Sequence, residues 1–313
     1  MSGSKTMSNS KKMINFMGVR KVLGVMSICL VIASIILLAT RGLNLGLDFT
    51  GGTNVVVESP ADIDIAGARD TLEQAGFEDA VVQQYGSSRD LSIRVPPQDG
   101  IEADQVGQRV FQSLAGGIDG LQLKQVEFVG PQVGDELRDQ SGLALLMALG
   151  LMLVYVWFRF TNKFGIATVA ALLHDVIIVL GLFSLLRWPF DLTVLAAVLA
   201  LIGYSLNDSI VVADRIRENF RNTRETDPHL IVNGAINETL TRTINTSFTT
   251  MLVLVALFFF GGEVMRAFSE ALLVGIFVGT YSSIYVVANL LFTLGVSKDD
   301  FLIPEKEEID EMP

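Results

Sequence analysis

The chain has 313 residues, half of them hydrophobic, with a mean hydropathy of +0.47 and only 18% charged residues. Its apolar residues fall in long runs rather than in alternating or one-faced patterns, which excludes an ordinary soluble globular protein and indicates a polytopic membrane protein. The net charge of −11 is concentrated in one region, since 42–140 hold 17 acids against 6 bases. Cys29, the only cysteine, sits within an apolar run, so no disulfide framework, thiolate metal site or cofactor is expected.

Residues 1–21 form a polar tail in which Lys5, Lys11, Lys12, Arg20 and Lys21 precede the first apolar run, 22–40. That run is long enough to span a bilayer and shows no small-residue cleavage site. It reads as a retained first membrane helix with its amino end in the cytoplasm.

Residues 42–140 are the one large soluble part. Strands are predicted at 53–59, 80–86, 91–97 and 121–129, and helices at 65–77 and 105–114, with a tight Ser-Ser-Arg-Asp connection between the second and third strands. The order β-α-β-β-α-β is that of a ferredoxin-like α+β sandwich. No His, Cys or paired-acid arrangement here suggests catalysis, so the domain reads as a cap or binding platform.

Two glycine-rich joints bracket it. GLDFTGG at 46–52 (Gly46, Asp48, Gly51, Gly52) leaves the first helix, and VGPQVGDEL at 129–137 (Gly130, Pro131, Gly134) leads into the second. Glycine opens backbone angles closed to other residues and Pro131 stiffens the bend, which suits a hinge or a domain anchor. A phosphate loop would need a Lys and a strand-to-helix setting that GLDFTGG lacks.

Five more runs follow, at 142–158, 164–186, 192–212, 246–260 and 268–294, giving six predicted spans. The connector 159–165 and the long one from 214 to 245 are richer in bases than 187–191 or 261–267. The positive-inside rule then puts both termini in the cytoplasm and 42–140 outside. In the long connector, Asp227 and Pro228 form a helix start. Ile231, Val232, Ala235, Ile236, Leu240 and Ile244 give an apolar face, so this helix is expected to lie along the inner membrane surface before the fifth span. The acidic tail, 295–313, is assigned no role.

Polar residues within the spans carry the functional signal. His174 and Asp175 fall mid-way along the third span. Asn207 and Asp208 lie in the fourth, with Asp208 roughly 9 Å from its midpoint at 1.5 Å per residue, still inside hydrocarbon about 30 Å thick. An ionised Asp there costs about 2.5–3.5 kcal/mol on insertion scales, so it must face a partner, a cavity or a proton. Helical spacing puts Tyr204, Asp208, Val211 and Arg215 on one face. Arg242, just ahead of the polar stretch 244–250, is the base nearest in sequence that could reach in, and it would stabilise the carboxylate and yield on protonation. Gly275 and Gly279 form a GxxxG helix-packing signal in the sixth span.

GLDFTGG, VGPQVGDEL, LLHD at 172–175, GYSLNDSIVVADRIREN at 203–219 and TLTRTINTSFTT at 239–250, each in its topological slot, resemble the SecD/SecF family of bacterial protein-export membrane proteins, on its SecF side. The resemblance covers about 20–295. It implies a six-span half of a resistance-nodulation-division type transporter in the inner membrane, paired with SecD and working with the SecYEG channel, the ATPase SecA and a YajC-type accessory subunit on exported unfolded preproteins. It also implies use of the proton gradient, with the family's fourth-span acid on Asp208 and its fifth-span base on Arg242; His174 and Asp175 match more weakly. No catalytic residue, metal or nucleic-acid partner is implied. Two competing readings are a small-molecule or lipid exporter half of that superfamily and a non-transporting membrane scaffold.

Overall fold

The computed structural model describes residues 13–98, 103–160, 162–297 and 300, so most of the amino-terminal tail and the acidic carboxy-terminal tail lie outside the described residues. A turn of 3-10 helix at Met17–Val19 leads into α1, Arg20–Arg41, which Gly42 ends at a φ of 62°. β1, Asn44–Leu45, and α2, Leu47–Thr50, follow at once. Gly51 and Gly52, at φ 65° and 114°, then turn the chain into the soluble domain.

That domain runs β2 (Gly52–Glu58), α3 (Ile65–Gln74), β3 (Val81–Tyr85), β4 (Ser87–Val95), α4 (Ala103–Ala115) and β5 (Gln122–Val129). The sheet order is β3-β4-β2-β5 and every neighbouring pair is antiparallel, the ferredoxin-like arrangement. Val55 and Val57 of β2, with Leu91 and Ile93 of β4, bury against Leu72, Val110 and Leu114 of the two helices. Each such side chain contributes about 1.5–3 kcal/mol of burial. The connection expected at Ser-Ser-Arg-Asp is instead the start of β4. The turn is confined to Gly86, whose φ of 76° lets Tyr85 pair with Ser87 directly.

α5, Pro131–Arg159, opens with Gly130 as its cap and Pro131 in the first turn. α6, Asn162–Leu186, is joined by β6, Pro189–Phe190, to α7, Leu192–Asn222. α8, Pro228–Phe260, and α9, Gly262–Thr293, complete the bundle. Six helices, α1 and α5 to α9, are long and apolar enough to cross a membrane.

Two expected boundaries are corrected. α5 starts at Pro131, ahead of the predicted 142–158, because no proline follows Pro131 to interrupt it. The expected surface helix and the fifth span are one continuous α8. Its apolar face has a protein partner instead of a membrane surface: Ile231, Val232, Ala235 and Ile236 bury against Ile216 and Phe220 of α7 and against Phe16 and Met17, while Ile244 stays exposed. At about 46 and 50 Å, α7 and α8 project well beyond a hydrocarbon layer of about 30 Å. Ion pairs of Arg215 with Glu238 and Glu218, both at 2.6 Å, tie the projecting ends.

Candidate proton-relay site in the helix bundle

Asp208 is 7% exposed and sits where α7, α8 and α9 meet. Close approach of α9 to α7 comes from the glycine pair. A Cβ on Gly275 would fall 2.6 Å from Leu201, and one on Gly279 would fall 3.4 Å from Ser205. Each carboxylate oxygen of Asp208 accepts from a hydroxyl of a different helix: Thr243 of α8 donates to Oδ1 at 2.9 Å, and Ser283 of α9 donates to Oδ2 at 2.5 Å. A hydroxyl is both donor and acceptor, so the same two partners also suit a protonated acid.

Arg242 precedes Thr243 but is exposed on the outer side of α8. Among the described residues it makes no ion pair with Asp208; its charge is near enough to act on that carboxylate through space. Asn207, on α7, is exposed as well. Beside them, Tyr204 donates to Ser247 at 3.3 Å, and Ser247 bonds Thr280 at 2.7 Å, which extends the polar belt across α7, α8 and α9.

A second acid lies on α6. Asp175 is fully buried, with Oδ1 2.8 Å from Nδ1 of His174 and Oδ2 taking a very short hydrogen bond from the Ser205 hydroxyl of α7. Ser282, next to Ser283 on α9, lies beside Asp175 and donates to the Ala171 carbonyl of α6 at 3.5 Å. The structure therefore brings Asp208 and Asp175 to one helix, and it leaves Arg242 and Asn207 on the perimeter.

The two glycine joints meet each other and the α6–α7 corner. β1 pairs in parallel with β6, and Gly46 N–H donates to the Phe190 carbonyl at 2.7 Å. Asp48 accepts from the Leu192 N–H at 3.0 Å, and Asp191 caps α7 by accepting from Val194 N–H at 2.9 Å. A Cβ on Gly134 would sit 2.8 Å from the Gly51 nitrogen, so α5 and the α2 turn touch through backbone. From the open face of the sheet, Arg94 donates to the Leu45 carbonyl at 2.9 Å and to Asn44 Oδ1 at 3.2 Å. Burial lowers the Arg94 guanidinium from its ordinary value, while nearby Asp191 acts the other way. The joints form an anchored corner whose freedom lies in positive-φ glycines rather than in loose loop.

Thr243, Ser283, Ser205, Ser247 and Thr280 are the site residues that sequence reasoning missed. Their spacing, four apart for Thr243 and Ser247 and three for Thr280 and Ser283, puts each pair on one helix face, a spacing that Thr246 and Thr250 share. The geometry defines a six-span membrane protein with hydroxyl-cradled acids in its bundle and a ferredoxin-like domain on one end.

Comparison with known proteins makes this specific. The family description "Protein export membrane protein SecD/SecF, C-terminal" matches residues 110–297, and the "SecD/SecF GG Motif" matches 36–59. The chain is 47% identical to the protein translocase subunit SecF of Pseudomonas aeruginosa over 96% of this chain and 98% of that one. It is 46% identical to SecF of Escherichia coli O157:H7 over 90% of this chain and 88% of that one. A crystal structure of SecDF, a translocon-associated membrane protein from Thermus thermophilus, superposes with a TM-score of 0.81 at 41% identity, covering 90% of this chain and 38% of the longer SecDF chain. The chain belongs to the SecF family of protein-export membrane proteins. Its role is that of an accessory membrane subunit of Sec protein export.

Proposed function

We propose that this subunit converts the proton gradient into work on exported chains through Asp208, with no bond-making chemistry of its own. The observation that carries the reading is the cradle of Thr243 and Ser283, which holds Asp208 by groups that serve either protonation state. Protonation removes the pull of Arg242 and lets α7, α8 and α9 repack. The anchored corner at Gly46, Asp48, Gly51, Gly52, Gly130, Pro131 and Gly134 passes that movement to the soluble domain. A proton crossing about 100 mV supplies about 2.3 kcal/mol, which biases a two-state element roughly fiftyfold.

In this reading the chain lies in the bacterial inner membrane with both termini cytoplasmic and the soluble domain outside. A SecD half covers the perimeter of α7 and α8, where exposed Asn207, Arg242 and Asn245 would otherwise meet hydrocarbon. The Thermus thermophilus relative carries the name SecDF. The assembly then works beside the SecYEG channel, with SecA supplying ATP hydrolysis, a YajC-type subunit attached, and unfolded preproteins as cargo. The test is release of a translocated precursor from spheroplasts with and without a proton gradient. Asp208→Asn is expected to lose the gradient-dependent part while SecD still co-purifies; undiminished release would move the function to the soluble domain as a passive scaffold.

A further inference from the structure

A crevice of about 270 Å³ opens between α1 and α9, lined by Ser27, Val31, His174, Tyr281, Tyr285 and Asn289 among apolar side chains. His174 is 6% exposed, and its Nδ1 faces Asp175 at 2.8 Å. Its Nε2, on the opposite edge of the ring, is buried and has no hydrogen-bond partner among the described residues. Either tautomer leaves a polar nitrogen unsatisfied, a cost of about 1–3 kcal/mol that a purely structural residue would avoid. The ring stands beside Tyr281, with centroids 6.3 Å apart, and the Tyr281 hydroxyl is held by α1 through the Leu23 carbonyl at 2.9 Å and Ser27 at 2.8 Å. Aromatic contacts continue from Tyr281 to Tyr285 at 5.5 Å and from Tyr285 to Phe16 at 5.9 Å. Asn233 pins Phe16 N–H at 2.8 Å, so the amino-terminal segment stands at the end of the crevice away from the soluble domain.

We propose that His174 and Asp175 form a second proton-carrying station, reached by water from the α1–α9 crevice and coupled to Asp208 through the adjacent serines Ser282 and Ser283 of α9. This rests on the reading of Asp208 above and adds a second site with its own port. A proton taken up at Nε2 allows the proton on Nδ1 to pass to Asp175. The ring ends in its other tautomer and Asp175 ends neutral, one proton gained and one passed on. Neutral Asp175 has a changed hydrogen bond to Ser205 and no longer presents a charge to the adjacent Ser282. Ser282 is one residue from Ser283, so a shift of α9 is felt at Asp208. The groups facing His174 are Ser27 from α1, Tyr281, Tyr285 and Asn289 from α9, Ser205 of α7 by way of Asp175, and Asp175 on its own helix, which is its one charged neighbour among them.

Two measurements on the SecD-bound protein in inner-membrane vesicles test this. His174→Asn keeps a donor toward Asp175 and removes the second ring nitrogen, so no proton can be taken up on one edge and passed on from the other. It is expected to lose most gradient-driven release and to change its pH profile, with the gradient-independent part intact. An unchanged amount and pH profile would overturn the proposal. Independently of export, Ser27→Cys and Val31→Cys, each in a Cys29→Ala background, are expected to react from the amino-terminal side with a small, charged, membrane-impermeant thiol reagent. Native Cys29 is outside the crevice lining and is expected to stay unreactive. If Ser27→Cys is as inert as Cys29, the crevice is dry and the port does not exist, whatever Asp208→Asn does.

Discussion

Two pairs of acids, one half-buried and one buried, set the corner and the bundle apart. At the corner, Asp48 and Asp191 accept from main-chain N–H groups of the first turn of α7. Those donors cannot accept a hydrogen bond and cannot turn away without unwinding the helix, so they favour one state, the carboxylate. In the bundle, Asp208 and Asp175 accept from the hydroxyls of Thr243, Ser283 and Ser205, with His174 beside Asp175. These side chains rotate and can accept as well as donate. The difference separates a fixed joint from the proposed switch: the same residue type is held by rigid backbone donors at one and by rotatable hydroxyls at the other.

The comparison breaks most visibly at Asp48. Asp48→Ala strips the acceptor from Leu192 N–H and is expected to cost about 3 kcal/mol, the upper range for a hydrogen bond to a charged group. Loss of folded protein from the membrane and a lower thermal midpoint in detergent would read it. Asp48→Asn keeps a carbonyl acceptor and is expected to cost less than half as much. Equal losses in the two variants would mean that charge, not the bond, holds the corner.

Thr243→Val sharpens the other side. It replaces one hydroxyl under Asp208 with a methyl of similar shape and is expected to cost about 2 kcal/mol. Its larger effect is on gradient-driven release, while Thr243→Ser, which keeps the hydroxyl, is expected to restore it. Export that ignores the difference between Val and Ser would show that the cradle is only packing.

Much of this contrast was legible in the sequence, and the missing part has a physical reason. The cost of an acid in hydrocarbon selected Asp208, and period-two and helical patterns gave the β-α-β-β-α-β order. The donors were not legible because hydroxyls in membrane helices commonly bond their own helix: Thr246 bonds Arg242, Thr249 bonds Asn245, and Thr280 bonds Ile276. Nothing in TLTRTINTSFTT tells Thr243, which turns to Asp208, from Thr246, which does not. The continuity of α8 was hidden for a related reason. The change from amphipathic to apolar character resembles a boundary, yet no breaker lies between Gly234 and Gly261 to make one.

The smallest expected effect is at Asp191, just outside the membrane-spanning part of α7. Burial raises its carboxyl above the ordinary range and the Asp48 charge adds to this, against the N–H bond from Val194. An acid raised in the folded state contributes stability that is full below its unfolded value, about pH 3.9, and is lost as pH rises through the folded value. Asp191→Asn keeps a capping oxygen. It is expected to match the native thermal midpoint at low pH, to remove that part of the pH slope and to exceed the native midpoint slightly near neutrality; a slope identical to the native one would place the titration elsewhere.

The most direct measurement is infrared difference spectroscopy of the SecD-bound protein in proteoliposomes, energised against de-energised. A carboxyl C=O band that appears on energisation, disappears in Asp208→Asn and persists in Asp48→Asn is the expected result. A band that survives Asp208→Asn, or none in the native protein under gradient-driven release, would contradict the assignment of the switch to the hydroxyl-held acid of the bundle.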